Sequence, residues 1–197
     1  MEKVILASRN KGKIKEIGDI LGRYDMTVVS RDNAGLPIDE VEETGETFEE
    51  NSYIKAKAIL DVAGVPTVAD DSGLMVDALG GAPGVYSARY AGDHDDEANI
   101  VKVLEKLQGV PTEERTARFC CALAIAGPMI ETTTLFGTCE GIILEEKRGA
   151  NGFGYDPIFF VPSLNRAMAE LTPEEKGSIS HRGNAIRQLA DKLPTLL

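Results

Sequence analysis

Apolar and polar residues alternate along this chain with two different periods. Residues 4–7 form a short apolar run that predicts a buried strand, and residues 8–12 are a polar loop. Ile14, Ile17 and Leu21 then recur at helical spacing, so a helix is expected to begin near Lys11. Strand, glycine-containing loop and helix are the opening of an α/β unit. Residues 27–30 predict the next strand. Thr47 followed three residues later by Glu50 has the pattern of a capping box. It predicts a helix over 48–63 that Gly64 ends, with Pro66 just beyond. Residues 67–69 predict a short strand running into Asp70-Asp71-Ser72-Gly73.

The second half reads differently. Residues 80–84, Gly-Gly-Ala-Pro-Gly, are incompatible with regular structure. Residues 95–107 carry a helical pattern. Residues 117–126 and 132–139 are rich in β-formers, and Gly127-Pro128 between them predicts a hairpin. A further strand is expected over 141–145, then a Gly-rich loop over 149–156. Thr172-Pro173-Glu174-Glu175 has a Thr cap, Pro in the first turn and Glu in third position, so it starts a helix. A last helix is expected over 181–193. Parallel pairing early and a hairpin late predict an α/β fold built on a mixed sheet. There is no repeat, linker or low-complexity segment, so residues 1–197 are read as one domain.

Composition narrows the class of protein. An apolar fraction of 43% and a charged fraction of 27% are those of a water-soluble globule. The net charge of −11 disfavours non-specific nucleic-acid binding, which needs a basic surface. A small anionic ligand needs only a local basic pocket and is not excluded. Cys120, Cys121 and Cys139 have neither metal spacing nor a disulfide framework. They read as small buried hydrophobes, a usage that fits a reducing cytoplasmic setting. The apolar run after Met1-Glu2-Lys3 is too short for a signal peptide core or a membrane span.

The first loop breaks the acidic trend. Arg9, Lys11, Lys13 and Lys15 bring cations to a helix start, where the dipole already favours anions, and Ser8 and Asn10 add hydrogen-bonding groups. The segment reads either as a phosphate cradle or as a basic, solvated helix start. It is not a P-loop, because Ala7 stands where that motif needs Gly and Ile14 where it needs Ser or Thr. Carboxylates that could hold Mg²⁺ lie at Glu40, Glu42 and Glu43, and at Asp70-Asp71. Neighbours in an extended segment face opposite ways, so Asp70 and Asp71 are expected to do different work. Asn51 and Lys55 share a helix face. The aromatic-bearing loop Phe153-Gly154-Tyr155-Asp156 suits stacking on a base or simply forms a turn. His181 and Arg182 would sit in a first helical turn, where cations are disfavoured, and an anionic or carbonyl-bearing ligand nearby would explain them.

Taken together, these segments resemble the inosine triphosphatase family, its bacterial dITP/XTP pyrophosphatases in particular. The matching pieces are Ser8-x-Asn10-x-x-Lys13-x-x-Glu16, Glu42-Glu43-Thr44-Gly45, Asn51-x-x-x-Lys55-Ala56 and Ala69-Asp70-Asp71-Ser72-Gly73-Leu74. They continue with the run from Gly80 to Tyr90, with Gly152-Phe153-Gly154-Tyr155-Asp156-Pro157, and with Lys176 followed by Ser180-His181-Arg182-Gly183. The resemblance implies an elongated fold with a mixed sheet flanked by helices, two lobes with the active-site cleft between them, and a homodimer. It implies that Ser8, Asn10 and Lys13 hold phosphates and that Glu42 and Asp71 bind Mg²⁺. Asp71 is also implied as proton acceptor, and Ser72 as a substrate contact. Phe153, Gly154, Tyr155, Asp156, Lys176, His181 and Arg182 fall on the nucleoside side. Glu16, Lys55 and Asp70 are supporting residues.

The expected activity is therefore Mg²⁺-dependent hydrolysis of non-standard purine nucleoside triphosphates (dITP, ITP, XTP) to the monophosphate and pyrophosphate. Donors from His181 or Arg182 suit a 6-oxo purine and oppose adenine's amino group, and each buried mismatch costs about 1–3 kcal/mol. Two other readings compete: a Maf-like pyrophosphatase of modified pyrimidine nucleotides, and a non-catalytic nucleotide sensor.

Overall fold

A computed structural model describes residues 2–35, 41–92 and 94–196. Glu40, one of the candidate carboxylates, lies outside these residues. Among the described residues the strands form a seven-stranded sheet in the order β2-β1-β3-β4-β5-β6-β7. They are β1 (Glu2–Leu6), β2 (Met26–Ser30), β3 (Thr67–Val76), β4 (Thr116–Gly127), β5 (Ile130–Ile143), β6 (Phe159–Val161) and β7 (Arg166–Ala167). The helices are α1 (Lys11–Leu21), α2 (Phe48–Ala63), α3 (Asp96–Lys106), α4 (Pro173–Ile179) and α5 (His181–Leu196). β1 pairs in parallel with β2 and β3, whereas β5–β6 and β6–β7 are antiparallel, so the sheet is mixed as expected. None of the described helices is long and apolar enough to cross a membrane.

The predicted caps form. Thr47 and Glu50 make the reciprocal capping box of α2, and Gly64 closes that helix in the left-handed region, at φ 64°. Thr172 and Glu175 do the same for α4. Two strands are longer than the sequence predicts. β3 continues through Asp70-Asp71-Ser72-Gly73 because Leu74 and Val76 beyond it are fully buried, and that burial outweighs the turn chemistry of the polar stretch. β5 likewise runs on through Gly141 to Ile143, which absorbs the separate strand expected over 141–145. A Cβ at Gly141 would meet the Phe159 ring and the Phe160 carbonyl, so glycine here permits close approach to β6.

The chain divides into two compact units. The first comprises residues 1–71, 121–137 and 182–197. Its strands bury both faces, and alternate residues go to different cores. Val4, Leu6, Val68, Cys121, Leu123 and Ile125 pack with Ile17, Ile20 and Leu21 of α1 and Ala185, Ile186 and Leu189 of α5. Ile5, Ala7, Ala69, Ala124 and Ala126 pack instead with Ala56 and Ile59 of α2. The second unit comprises residues 72–120 and 138–181. Its core gathers Leu74, Val76, Ile100, Val103, Phe119, Ile143, Ile158, Phe159 and Met168.

Candidate functional site

The two-faced sheet of the first unit decides what Asp70 and Asp71 do. Val68 faces α1 and α5, and Ala69 faces α2. Alternation along β3 then sends Asp70 to the α1/α5 side and Asp71 to the α2 side. On the first side, Asp70 has a fully buried side chain. The Lys13 ammonium lies 2.5 Å from its Oδ1, and Arg182 Nε lies 3.3 Å from its Oδ2. The Cys121 thiol donates to Oδ2 at 3.1 Å. Arg182 also reaches Glu16 Oε2 at 3.2 Å through Nη1. Lys13 and Arg182 thus balance Asp70 and Glu16 where isolated charges would be costly.

The first loop supplies Lys13. Ser8 Oγ accepts from the Asn10 backbone N–H, and Asn10 caps α1 by accepting from Lys13 N–H at 3.0 Å. Of the four cations predicted here, Arg9 pairs with Asp32 at the surface, Lys11 and Lys15 are exposed, and Lys13 turns inward. The anions beside Arg182 are the protein's own Asp70 and Glu16, where the sequence suggested a ligand. His181 belongs to the second unit and stacks on Phe119, with ring centroids 4.9 Å apart.

On the α2 side, Lys55 Nζ lies 2.9 Å from Asp71 Oδ1 and 2.8 Å from Glu43 Oε1. The expected helix neighbour Asn51 accepts from Gly45 N–H at 2.8 Å, which ties the acidic loop to α2. Gly45 is needed for that approach, since a Cβ would collide with Glu50 and Asn51. Glu43 is the carboxylate this loop turns toward Lys55, whereas Glu42 is exposed. Asp71 is buried, and its Oδ2 has no hydrogen-bond partner among the described residues. Burial raises the Asp71 pKa above its ordinary value, Lys55 and Lys13 pull it down, and Glu43 pushes it up, with a net rise. Burial also disfavours the Lys55 ammonium, but Asp71 and Glu43 outweigh it and its pKa is raised.

The second unit carries the remaining candidates. Ser72 opens it on β3. Asp156 is buried and its Oδ2 accepts from Phe153 N–H at 2.9 Å and from Lys176 Nζ at 2.6 Å. The same ammonium lies 4.7 Å from the centroid of the Phe153 ring. Gly154 N–H donates to Asp96 at 2.8 Å, and the Tyr155 hydroxyl donates to the Ser87 carbonyl at 2.8 Å. The loop is therefore tied to three separate segments, with its aromatic beside a cation. Gly152 adopts φ 78°, and a Cβ there would strike the Asp156 carboxylate. Gly152→Ala should therefore lose about 2 kcal/mol or more of stability from strain and a displaced buried charge. Urea titration checks this; a loss below about 0.5 kcal/mol would mean that Asp156 moves aside freely.

Cys121, Ser87 and Asp96 are contacts that sequence reasoning missed. A retrospective signal exists only for Cys121, which continues the inward alternation with Leu123 and Ile125.

A mixed sheet with helices on its faces defines an α/β protein, and this one buries lysine–carboxylate pairs at adjacent strand positions. The sequence pattern of the Ham1 family matches residues 4–192, and the chain belongs to that family. It is 52% identical to the dITP/XTP pyrophosphatase of Bacillus cereus strain ATCC 14579, over 98% of this chain and 96% of that protein. It is also 52% identical to the dITP/XTP pyrophosphatase of Bacillus subtilis strain 168, over 98% of each. The solved Ham1 protein of Staphylococcus aureus superposes with a TM-score of 0.87 at 47% identity, covering 98% of this chain and 99% of that one. The resemblance drawn from the motifs is thereby borne out, as is the α/β fold with its mixed sheet.

Proposed function

We propose that this chain hydrolyses non-standard purine nucleoside triphosphates (dITP, ITP and XTP) to the monophosphate and pyrophosphate, removing them from the nucleotide pool. The single observation that carries the chemistry is that Lys13 and Lys55 reach adjacent buried aspartates from opposite faces of one strand. The likeness to dITP/XTP pyrophosphatases over nearly the whole chain supports the substrate class. Lys13, Ser8, Asn10 and the positive N-terminal end of α1 bind the β- and γ-phosphates. Asp71 accepts the proton of the water that attacks the α-phosphorus, and its raised basicity suits that task. Lys55 lies between Asp71 and Glu43 and pairs with both.

The residues present fit Mg²⁺. Asp71 Oδ2 is a buried oxygen with no hydrogen-bond partner among the described residues, and Glu43 shares the Lys55 ammonium with Asp71. Among the described residues no three acidic, His or Cys side chains cluster as a metal cage. Mg²⁺ asks for less, since one or two carboxylates with water and phosphate oxygens complete its shell. Bound there, it would neutralise charge on the phosphates. We assign Ser72, Phe153, Gly154, Tyr155, Asp156, Lys176, His181 and Arg182 to recognition of the nucleoside. Arg182 also pairs with Asp70 and Glu16. We further propose a cytoplasmic homodimer; the cytoplasmic setting is supported by three free, buried thiols.

The test is a panel of dITP, XTP, dATP, dGTP and dTTP with Mg²⁺, with products identified. Pyrophosphate from dITP and XTP is expected. Orthophosphate would place the cleaved bond elsewhere, preference for dTTP would favour the pyrimidine reading, and binding without turnover would favour a sensor.

A further inference from the structure

Asp70 has a fully buried side chain, and partners from three separated elements meet it: α1, β4 and α5. Two of them are cations. The third is the thiol of Cys121, which is itself fully buried. Its position follows from the fold: Cys121, Leu123 and Ile125 line the α1/α5 face of β4, and Asp70 occupies that same face of the adjacent β3. A thiol is a weak donor, and most buried cysteines act only as small hydrophobes. Here the sulfur meets a carboxylate oxygen at 3.1 Å, short for a sulfur donor, on the oxygen that Arg182 approaches at 3.3 Å.

We propose that Cys121 is a positioning residue for Lys13, acting through the carboxylate of Asp70. The inference rests on the reading of Lys13 as a phosphate-binding residue. The thiol and Arg182 hold Oδ2, which fixes the rotation of the carboxyl plane and leaves Oδ1 directed at the Lys13 ammonium. Lys13 is a flexible four-carbon stem with a point charge at its end, so its location depends on such an anchor. Without the thiol donor the carboxylate turns further toward the guanidinium, and the ammonium follows it. Alanine at 121 preserves the small apolar volume but donates nothing. Serine preserves a donor.

The experiment compares the wild-type chain with C121A and C121S in steady-state hydrolysis of dITP with Mg²⁺, alongside thermal melts. C121A should raise KM by about 3- to 10-fold, the range one hydrogen bond supplies, with kcat changed less than about twofold. C121S should keep KM within about twofold of wild type. An unchanged KM in C121A, or equal damage in C121S, overturns the inference. A second readout does not depend on the alanine variant folding: the S–H stretch in the infrared should be lowered by the carboxylate in the wild type and should rise in D70N. An S–H band indifferent to D70N also overturns it. Wild-type protein that releases no pyrophosphate from dITP overturns the enzymatic reading as well, whereas normal wild-type turnover with indifferent variants removes only the role of Cys121.

Discussion

Asp71→Asn should abolish most turnover, by about 10²- to 10⁴-fold in kcat, while nucleotide binding persists. The exchange keeps the shape of the side chain and its contact with Lys55 but removes the proton acceptor and the negative charge next to the acidic loop. Near-normal turnover would take Asp71 out of the base role. The pH dependence has a definite sign. Burial raises the Asp71 pKa, so its basic form is lost at higher pH than for an exposed aspartate as the solution is acidified. On the proposed reading Mg²⁺ binds that same carboxylate in competition with protons, so the acid limb of kcat/KM should move to lower pH as Mg²⁺ is increased. A limb that ignores Mg²⁺ would separate the metal from Asp71.

Lys13→Ala should weaken binding of triphosphates far more than of nucleosides, and should also destabilise the fold. Two effects add because Lys13 has two roles. It is the phosphate-binding cation we propose, and it neutralises a carboxylate whose side chain is fully buried. Removing one partner of a buried ion pair typically costs about 3–5 kcal/mol. The double variant Lys13→Met with Asp70→Leu should regain part of that stability, since an apolar pair of similar volume replaces the charges, yet remain unable to bind triphosphate tightly. Comparable losses for triphosphate and nucleoside in Lys13→Ala, measured by calorimetry, would sink the phosphate assignment.

Much of this was legible in the sequence, for local reasons. The caps at Thr47 and Thr172, the helix start at Asn10 and the α2 boundaries depend on neighbours within a turn. Alternation correctly separated Asp70 from Asp71. Which of them meets Lys13 depends on the faces taken by α1 and α2, and that is a property of topology. Glu43 could not be singled out from Glu42 because a loop has no period. Its direction is set by Gly45 and Asn51. Cys121 looked like ordinary core because its partner lies 51 positions away on a neighbouring strand. The short strands β6 and β7 escaped notice because, at three and two residues, they are too brief for any pattern to develop.

The first unit is stitched from three pieces of chain, and this bears on its synthesis. Residues 1–71 leave the ribosome early, carrying Lys13, Asp70 and Asp71. Arg182, and the α5 residues Ala185, Ile186 and Leu189 that seal their core, emerge more than a hundred residues later. A nascent chain therefore holds a half-built core, with Asp70 still lacking its Arg182 partner, for most of its translation, and must stay unaggregated until the final helix arrives. Neither unit can be expressed as one contiguous fragment, and a stop codon before position 182 would disable the first unit even though β1, α1 and α2 were already made.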